Sequence, residues 1–305
     1  MFRILIVLVA VAAAIAAGVF WMITIPQTVS ASALQPHKPD LGNGRTLFYA
    51  GGCASCHATP GEKDRTKLGG GLALKSPFGT FYPPNISSDP ADGIGGWSEA
   101  QFITAMTKGT SPKGEHLYPA FPYTSYQHMT YRDLRDLFAF LKTLPGVKGK
   151  TPPHELSFPY NVRRFIGVWK ALYLDGLPFQ PDPARSDVWN RGAYLVNGPG
   201  HCAECHSPRN FLGGIIASER FAGGPNPEGK GWAPNITQKG LTEWTVKDIA
   251  YLLETGFTLD GDSVGGAMAD VVKNTSQLSS DDRLAIATYI KSLPPVEGPP
   301  KPKKK

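Results

Sequence analysis

Cys53-Ala54-Ser55-Cys56-His57 returns 149 residues later as Cys202-Ala203-Glu204-Cys205-His206, and the meaning of that pair decides how the chain is built. The match continues outward, as a duplicated unit requires. Pro84-Asn85-Ile86 returns as Pro234-Asn235-Ile236, Trp97-Ser98 as Trp244-Thr245, Gly109 as Gly256, and Thr130 to Pro145 as Ser279 to Pro294. Ser98-x-x-Gln101, Thr130-x-x-Asp133 and Ser279-x-x-Asp282 are N-terminal capping patterns. Apolar positions 134, 137, 138, 141 and 144 keep helical spacing, and Pro145 and Pro294 stop the two closing helices. No run of alternating strands stands out. The expected fold is mainly α, with two tandem domains.

Ahead of the repeats lies Ile4 to Ile25, in which Thr24 is the only clearly polar side chain. At about 1.5 Å per residue, such a helix spans the roughly 30 Å hydrocarbon core of a bilayer. Its length exceeds the apolar region of a cleavable signal, although Val29-Ser30-Ala31-Ser32-Ala33 offers a small-residue exit site. Arg3 on the short side places the body across the membrane. The expected boundaries are 1–36 for a signal anchor and short linker, 37–150 for the first domain and 151–187 for a packed crossover. The second domain follows over 188–296, with a basic disordered tail over 297–305. Phe158, Phe165, Trp169 and Tyr173 make the crossover too apolar for a free linker.

Cys-x-x-Cys-His is the attachment pattern for c-type haem. On a helical turn residues i and i+3 share a face, so both thiols reach the two vinyl groups of one porphyrin while the histidine turns toward the iron. A disulfide framework needs no histidine after each pair, and four cysteines in 305 residues are sparse for one. A single zinc site would need pairs that lie 149 residues apart, and a thioredoxin-like pair lacks its βαβ setting. The expected cofactors are two covalently bound haem c, held by Cys53, Cys56, Cys202 and Cys205, with His57 and His206 as proximal ligands. The carbonyls of Pro84 and Pro234 are candidates to receive the imidazole N–H. Arg209 is placed for a haem propionate.

The opposite axial position is less uniform. Met268, in Gly-Gly-Ala-Met-Ala between middle and closing helices, is the candidate in the second repeat, on what reads as a loop. In the first repeat the same alignment, twelve residues past the glycine, reaches Phe121, which cannot bind iron. Met129 is the nearest candidate, with His128 beside it and His116 upstream. Met129 also reads as a hydrophobic staple ahead of the Thr130 cap, and an open iron is the remaining possibility.

Composition fits this reading. The 34 glycines and 28 prolines are about a fifth of the chain, a loop-rich content that a large apolar cofactor can organise. The net charge of +6 includes Lys301, Lys303, Lys304 and Lys305, so the rest carries only +2. That distribution argues against a nucleic-acid surface. No nucleophile-plus-base arrangement or phosphate loop stands out.

Further motifs carry a family likeness. They are Gly51 to His57, Phe81-Tyr-Pro-Pro-Asn-Ile-Ser87, Gly93-Ile-Gly-Gly-Trp97, Leu117-Tyr-Pro-Ala-Phe-Pro-Tyr123, Trp189-Asn-Arg-Gly-Ala-Tyr-Leu195, Gly200 to Arg209 and Ala233-Pro-Asn-Ile236. With these, the chain from about Pro39 to Pro294 resembles the cytochrome c subunits of bacterial membrane-bound alcohol, gluconate and related sugar dehydrogenases, and their shorter dihaem relatives. The resemblance implies two tandem cytochrome c-like domains that carry single electrons. The donor it implies is a periplasmic dehydrogenase; the acceptor is quinone, a soluble cytochrome or a terminal oxidase. The implied place is the outer face of a bacterial inner membrane. Those subunits typically carry three haems, whereas this sequence has two attachment motifs. The rival expectation is a dihaem enzyme, a peroxidase or small-molecule oxidoreductase, reacting at an open first haem.

Overall fold

The computed structural model describes residues 2–227 and 231–301. An apolar helix α1 (Phe2–Ile23) precedes the first repeat. That repeat runs α2 (Leu41–Ala50), α3 (Cys53–His57), β1 (Leu74–Ser76), β2 (Gly79–Phe81), α4 (Glu99–Lys108), α5 (Tyr123–Tyr126) and α6 (Tyr131–Thr143). The crossover supplies β3 (Glu155–Leu156) and α7 (Phe165–Tyr173). The second repeat runs α8 (Asp187–Asn197), α9 (Ala203–His206), β4 (Gly224–Pro225), β5 (Trp232–Ala233), α10 (Val246–Thr255), α11 (Ala267–Thr275) and α12 (Ser280–Lys291). The fold is mainly helical, with two helical units in tandem. Among the described residues, strands are confined to a three-stranded antiparallel β1-β2-β3 patch and the β4-β5 pair.

The predicted caps form. The hydroxyls of Ser98, Thr130 and Ser279 accept from the N–H groups of Gln101, Asp133 and Asp282 at 3.2, 3.1 and 3.1 Å. Gly109 and Gly256 close α4 and α10 in the left-handed region, at φ 54° and 81°, where a side chain is disfavoured.

Each domain begins one helix earlier than its cysteines. Asp40 caps α2 by accepting from Gly42 N–H at 2.8 Å and Asn43 N–H at 3.0 Å, and Ser186 caps α8 by accepting from Trp189 N–H at 3.2 Å. Both helices cross the closing helix of their own domain at a glycine. A Cβ on Gly44 would lie 2.2 Å from the Asp136 carbonyl oxygen, and one on Gly192 would lie 1.9 Å from that of Ala285. Only a missing side chain allows the backbones so close. Around these crossings lie two apolar cores, one built on Leu47, Phe48, Leu134 and Phe138, the other on Leu195, Val196, Ile286 and Ala287.

The crossover touches both units. Lys170 donates to the carbonyls of Lys108 and Gly109 at 2.7 and 3.1 Å, while Trp169 Nε1 donates to the Leu212 carbonyl at 2.9 Å. At the far end Glu297 pairs with Lys239 at 2.5 Å, and a Cβ on Gly298 would lie 2.0 Å from the Ala222 oxygen. The chain therefore stays on the second domain past the start expected for the disordered tail; Pro302 to Lys305 lie outside the described residues.

Candidate haem-attachment sites and the interface between them

Cys53 and Cys56 stand one turn apart within α3. Cys202 keeps helical backbone angles, φ −56° and ψ −34°, ahead of α9, so Cys202 and Cys205 are spaced the same way. Residues three apart on a helix share a face. His57 Nδ1 lies 2.8 Å from the Pro84 carbonyl oxygen, and His206 Nδ1 lies 2.8 Å from that of Pro234. A carbonyl only accepts, so Nδ1 carries the hydrogen and Nε2 keeps the lone pair a metal needs. Both rings are half-buried by accessible area. The apolar surroundings desolvate them and hold both imidazoles below the ordinary histidine pKa, against the opposing effect of the proline carbonyls. A neutral imidazole is the form that ligates.

The same scaffold holds each histidine. Gly70 N–H donates to the His57 carbonyl at 2.8 Å, and Gly223 N–H donates to that of His206 at 2.8 Å. Both glycines have positive φ, 70° and 79°, and lie tight against the Pro-Asn-Ile segments, where a Cβ would come within 2.6 Å of Pro84 O or 2.7 Å of Asn235 N. Asn85 and Asn235 fix those segments by donating to the carbonyls of Val147 at 2.6 Å and Val296 at 2.8 Å. The repeated Pro-Asn-Ile is thus the strut that aims the imidazole.

Met268 stands in the first turn of α11 rather than on a loop, because Gly266 starts the helix with φ 58°. It packs against the same core as Cys202. Met129 is 1% exposed in the cluster against which Cys53 and Phe121 pack. Leu134 is in that cluster too, so Met129 also has the setting of a hydrophobic staple. The two histidines face backbone: His116 Nε2 lies 2.9 Å from Thr24 O, and His128 Nδ1 lies 2.8 Å from Leu177 O.

Arg209 finds a carboxylate within the chain. It donates to Glu204 Oε2 at 2.6 Å and to the carbonyls of Glu204 and Gly213 at 2.7 Å each. Glu204, a variable residue of the second motif, takes no role from the sequence pattern. Its Oε1 accepts from the hydroxyls of Thr124 at 2.9 Å and Ser125 at 3.0 Å, both in α5 of the other domain. Ser55 occupies the matching place in the first motif, and its Oγ accepts from Asn274 Nδ2 of α11 at 2.9 Å. Ser55 and Glu204 are 149 residues apart, and so are Ser125 and Asn274. One contact is therefore made twice, about a local twofold, as in an isologous dimer. His201 adds a longer contact across the interface, Nε2 to Gly51 O at 3.3 Å.

Two thiols one turn apart, an imidazole presenting Nε2 and apolar walls fit a covalently attached haem at each motif. Comparison with known proteins supports haem c as the cofactor. The cytochrome c family model matches residues 41–145. A protein described as "Diheme cytochrome c-type" from Cereibacter sphaeroides is 51% identical over 260 residues, covering 85% of this chain and 87% of that one. The fructose dehydrogenase cytochrome subunit of Gluconobacter japonicus is 38% identical over 264 residues, 85% of this chain and 53% of its own length. The gluconate 2-dehydrogenase cytochrome c subunit of Pantoea cypripedii is 34% identical over 282 residues, 87% of this chain and 63% of its own. The chain thus spans less than two thirds of these two dehydrogenase subunits.

Proposed function

Because this chain belongs to the cytochrome c family, with haem c as its cofactor and electron transfer as its activity, we propose that it is a membrane-anchored dihaem carrier. It receives single electrons from a periplasmic dehydrogenase and passes them to a respiratory acceptor: quinone, a soluble cytochrome or a terminal oxidase. Two haems are attached, one by Cys53, Cys56 and His57, the other by Cys202, Cys205 and His206. Haem supplies the one-electron iron couple when bound; the chain supplies ligands, burial and spacing. Pro84 and Pro234 fix the tautomer of His57 and His206, Met129 and Met268 would be the distal ligands, and Arg209, paired with Glu204, braces the second motif.

The observation that carries the reading is the reciprocal interface. Ser55 and Glu204 dock each motif on the short helix of the opposite domain, next to the segments that bear Met268 and Met129. That arrangement suits a relay between two close centres. The rival reading, catalysis at an open first haem, is less well supported, because Met129 is buried in the cluster against which Cys53 packs.

The buried start of the body supports an anchor that stays attached. Thr24 is 0% exposed, and the Val29 N–H donates to Thr104 Oγ1 at 2.9 Å. The body then lies on the periplasmic side of a bacterial inner membrane.

A pyridine haemochrome assay on the purified chain should give two haems c per polypeptide; one would remove the dihaem reading. Met129→Ala should convert only the first haem to a high-spin, cyanide-binding form and leave the second unchanged. An unaltered first-haem spectrum would remove Met129 as ligand, and a high-spin first haem in the unmodified protein would favour the enzyme.

A further inference from the structure

Helix α7 is turned inside out for a water-facing element. Its sequence Phe-Ile-Gly-Val-Trp-Lys-Ala-Leu-Tyr has one charged residue, Lys170. That residue is 8% exposed and points inward, its Nζ donating to Lys108 O, Gly109 O and Thr110 Oγ1 at 2.7, 3.1 and 3.3 Å. The outward side is apolar: Phe165 is 47% exposed, Leu172 is 60% exposed, and Ala171 is exposed between them. Phe165 and Leu172 are seven residues apart, two turns, and so share a face. The flanks continue the pattern with Phe158 at 78% and Leu177 at 63% exposed.

The start of α7 is fastened to the end of α1. Phe165 meets the Phe20 ring edge-on with centroids 6.0 Å apart, and a Cβ on Gly167 would lie 2.7 Å from Thr24 Cα. Arg164 donates to the Trp21 carbonyl at 2.9 Å and to Thr24 Oγ1 at 2.6 Å, with its guanidinium 4.2 Å above the Trp21 ring. The bond to Trp21 gives a partner to one of the last carbonyls of α1. Phe20 lies inside the 22-residue apolar helix, three positions before its end. If α1 spans the bilayer, Phe165 sits at the depth of the interface, where Trp and Tyr side chains concentrate.

We propose that α7 is a second membrane contact: it lies in the headgroup–acyl boundary with Phe165 and Leu172 in lipid, and so fixes the height and tilt of the haem-bearing body. This rests on the membrane-anchor reading above. The occupant is a lipid surface rather than a protein, because the apolar face is continuous with the spanning helix and its inner end packs edge-on against a residue within the span. An interfacial helix binds through that kind of apolar face.

The test uses the full, haem-loaded chain in nanodiscs of phosphatidylcholine and phosphatidylglycerol that carry a photoactivatable diazirine acyl chain, with adducts mapped by mass spectrometry. The expected result is adducts on α1 and also on the peptide containing Phe165 to Leu177. Leu172→Glu, a change at an exposed position, should reduce the α7 adducts to background while those on α1 and the haem spectrum are unchanged. Adducts on α1 with none on α7 would overturn the proposal and leave the anchor intact. Adducts on neither, with release by alkaline carbonate, would overturn both. Shielding of α7 by a cross-linked protein neighbour in native membranes would make it a protein interface and overturn the proposal.

Discussion

Replacing Glu204 with alanine removes the carboxylate that ties the second motif to the first domain. The hydroxyls of Thr124 and Ser125 lose their acceptor, and Arg209 loses its partner at 2.6 Å. Breaking a buried ion pair by removing one partner costs about 3–5 kcal/mol, and a hydrogen bond to a charged group contributes about 1.5–3 kcal/mol. The lower end applies, because the Arg209 side chain is 28% exposed and retains its bonds to two backbone carbonyls. The expected loss is therefore about 3 kcal/mol for Glu204→Ala and about 1 kcal/mol for Glu204→Gln, which keeps an acceptor for the hydroxyls. At roughly 2–4 °C per kcal/mol for a body of this size, the alanine variant should melt about 6–12 °C lower. Thermal unfolding of the haem-loaded protein, followed by far-ultraviolet circular dichroism and by the Soret band, measures it. A double-mutant cycle with Ser125→Ala should give a coupling of about 1 kcal/mol. A melting temperature within about 1 °C of the parent, or an additive cycle, refutes the interdomain role.

The pH dependence of the same site has a defined sign. Burial alone raises the Glu204 carboxyl; the Arg209 charge and hydrogen bond, with the Thr124 hydroxyl, outweigh it and hold the group below its ordinary value. A depressed carboxylate stabilises the fold above its unfolded pKa of about 4.5, and that stability is lost as pH falls through the folded value. The advantage of the parent over Glu204→Gln should shrink as pH falls below about 4.5 and vanish once pH has passed the lower, folded value.

Two further predictions concern the packing. Gly192→Ala places a Cβ 1.9 Å from the Ala285 oxygen, so it should cost about 1–3 kcal/mol, read as a lower denaturant midpoint; an unchanged midpoint would mean that the α8–α12 crossing gives way freely. Burial, helped by the Lys108 charge, pushes Lys170 down from 10.5 to about 8, so between those values the unfolded chain binds more protons and stability should rise with pH. The gain is at most about 3 kcal/mol, less in so far as three acceptors at Nζ favour the ammonium, and Lys170→Met should flatten the rise.

Much of the fold is local and legible as such. The Ser98, Thr130 and Ser279 caps, the glycine stops after α4 and α10 and the duplicated Cys-x-x-Cys-His need only neighbours a few residues away. Helices α2 and α8 escape a reading of the pattern although Asp40 and Ser186 stand ready as caps, and α2 begins with weak formers, glycine and asparagine. The glycines around Met268 suggest a loop, yet a glycine with positive φ is what lets α11 start there.

Residue types at short spacing, and their recurrence 149 positions on, are enough to specify the cofactor chemistry, the duplication and the turn of His57 and His206 toward the carbonyls of Pro84 and Pro234. They leave Ser55 and Glu204 as variable letters, and they offer a propionate, not a carboxylate of the same chain, as the partner of Arg209. How the two units face one another, and which way Lys170 turns, are settled by packing between segments far apart in the chain. The Ser55–Asn274 bond joins residues 219 apart, and a hydrogen bond depends on distance and direction, neither of which the order of residues along the chain encodes.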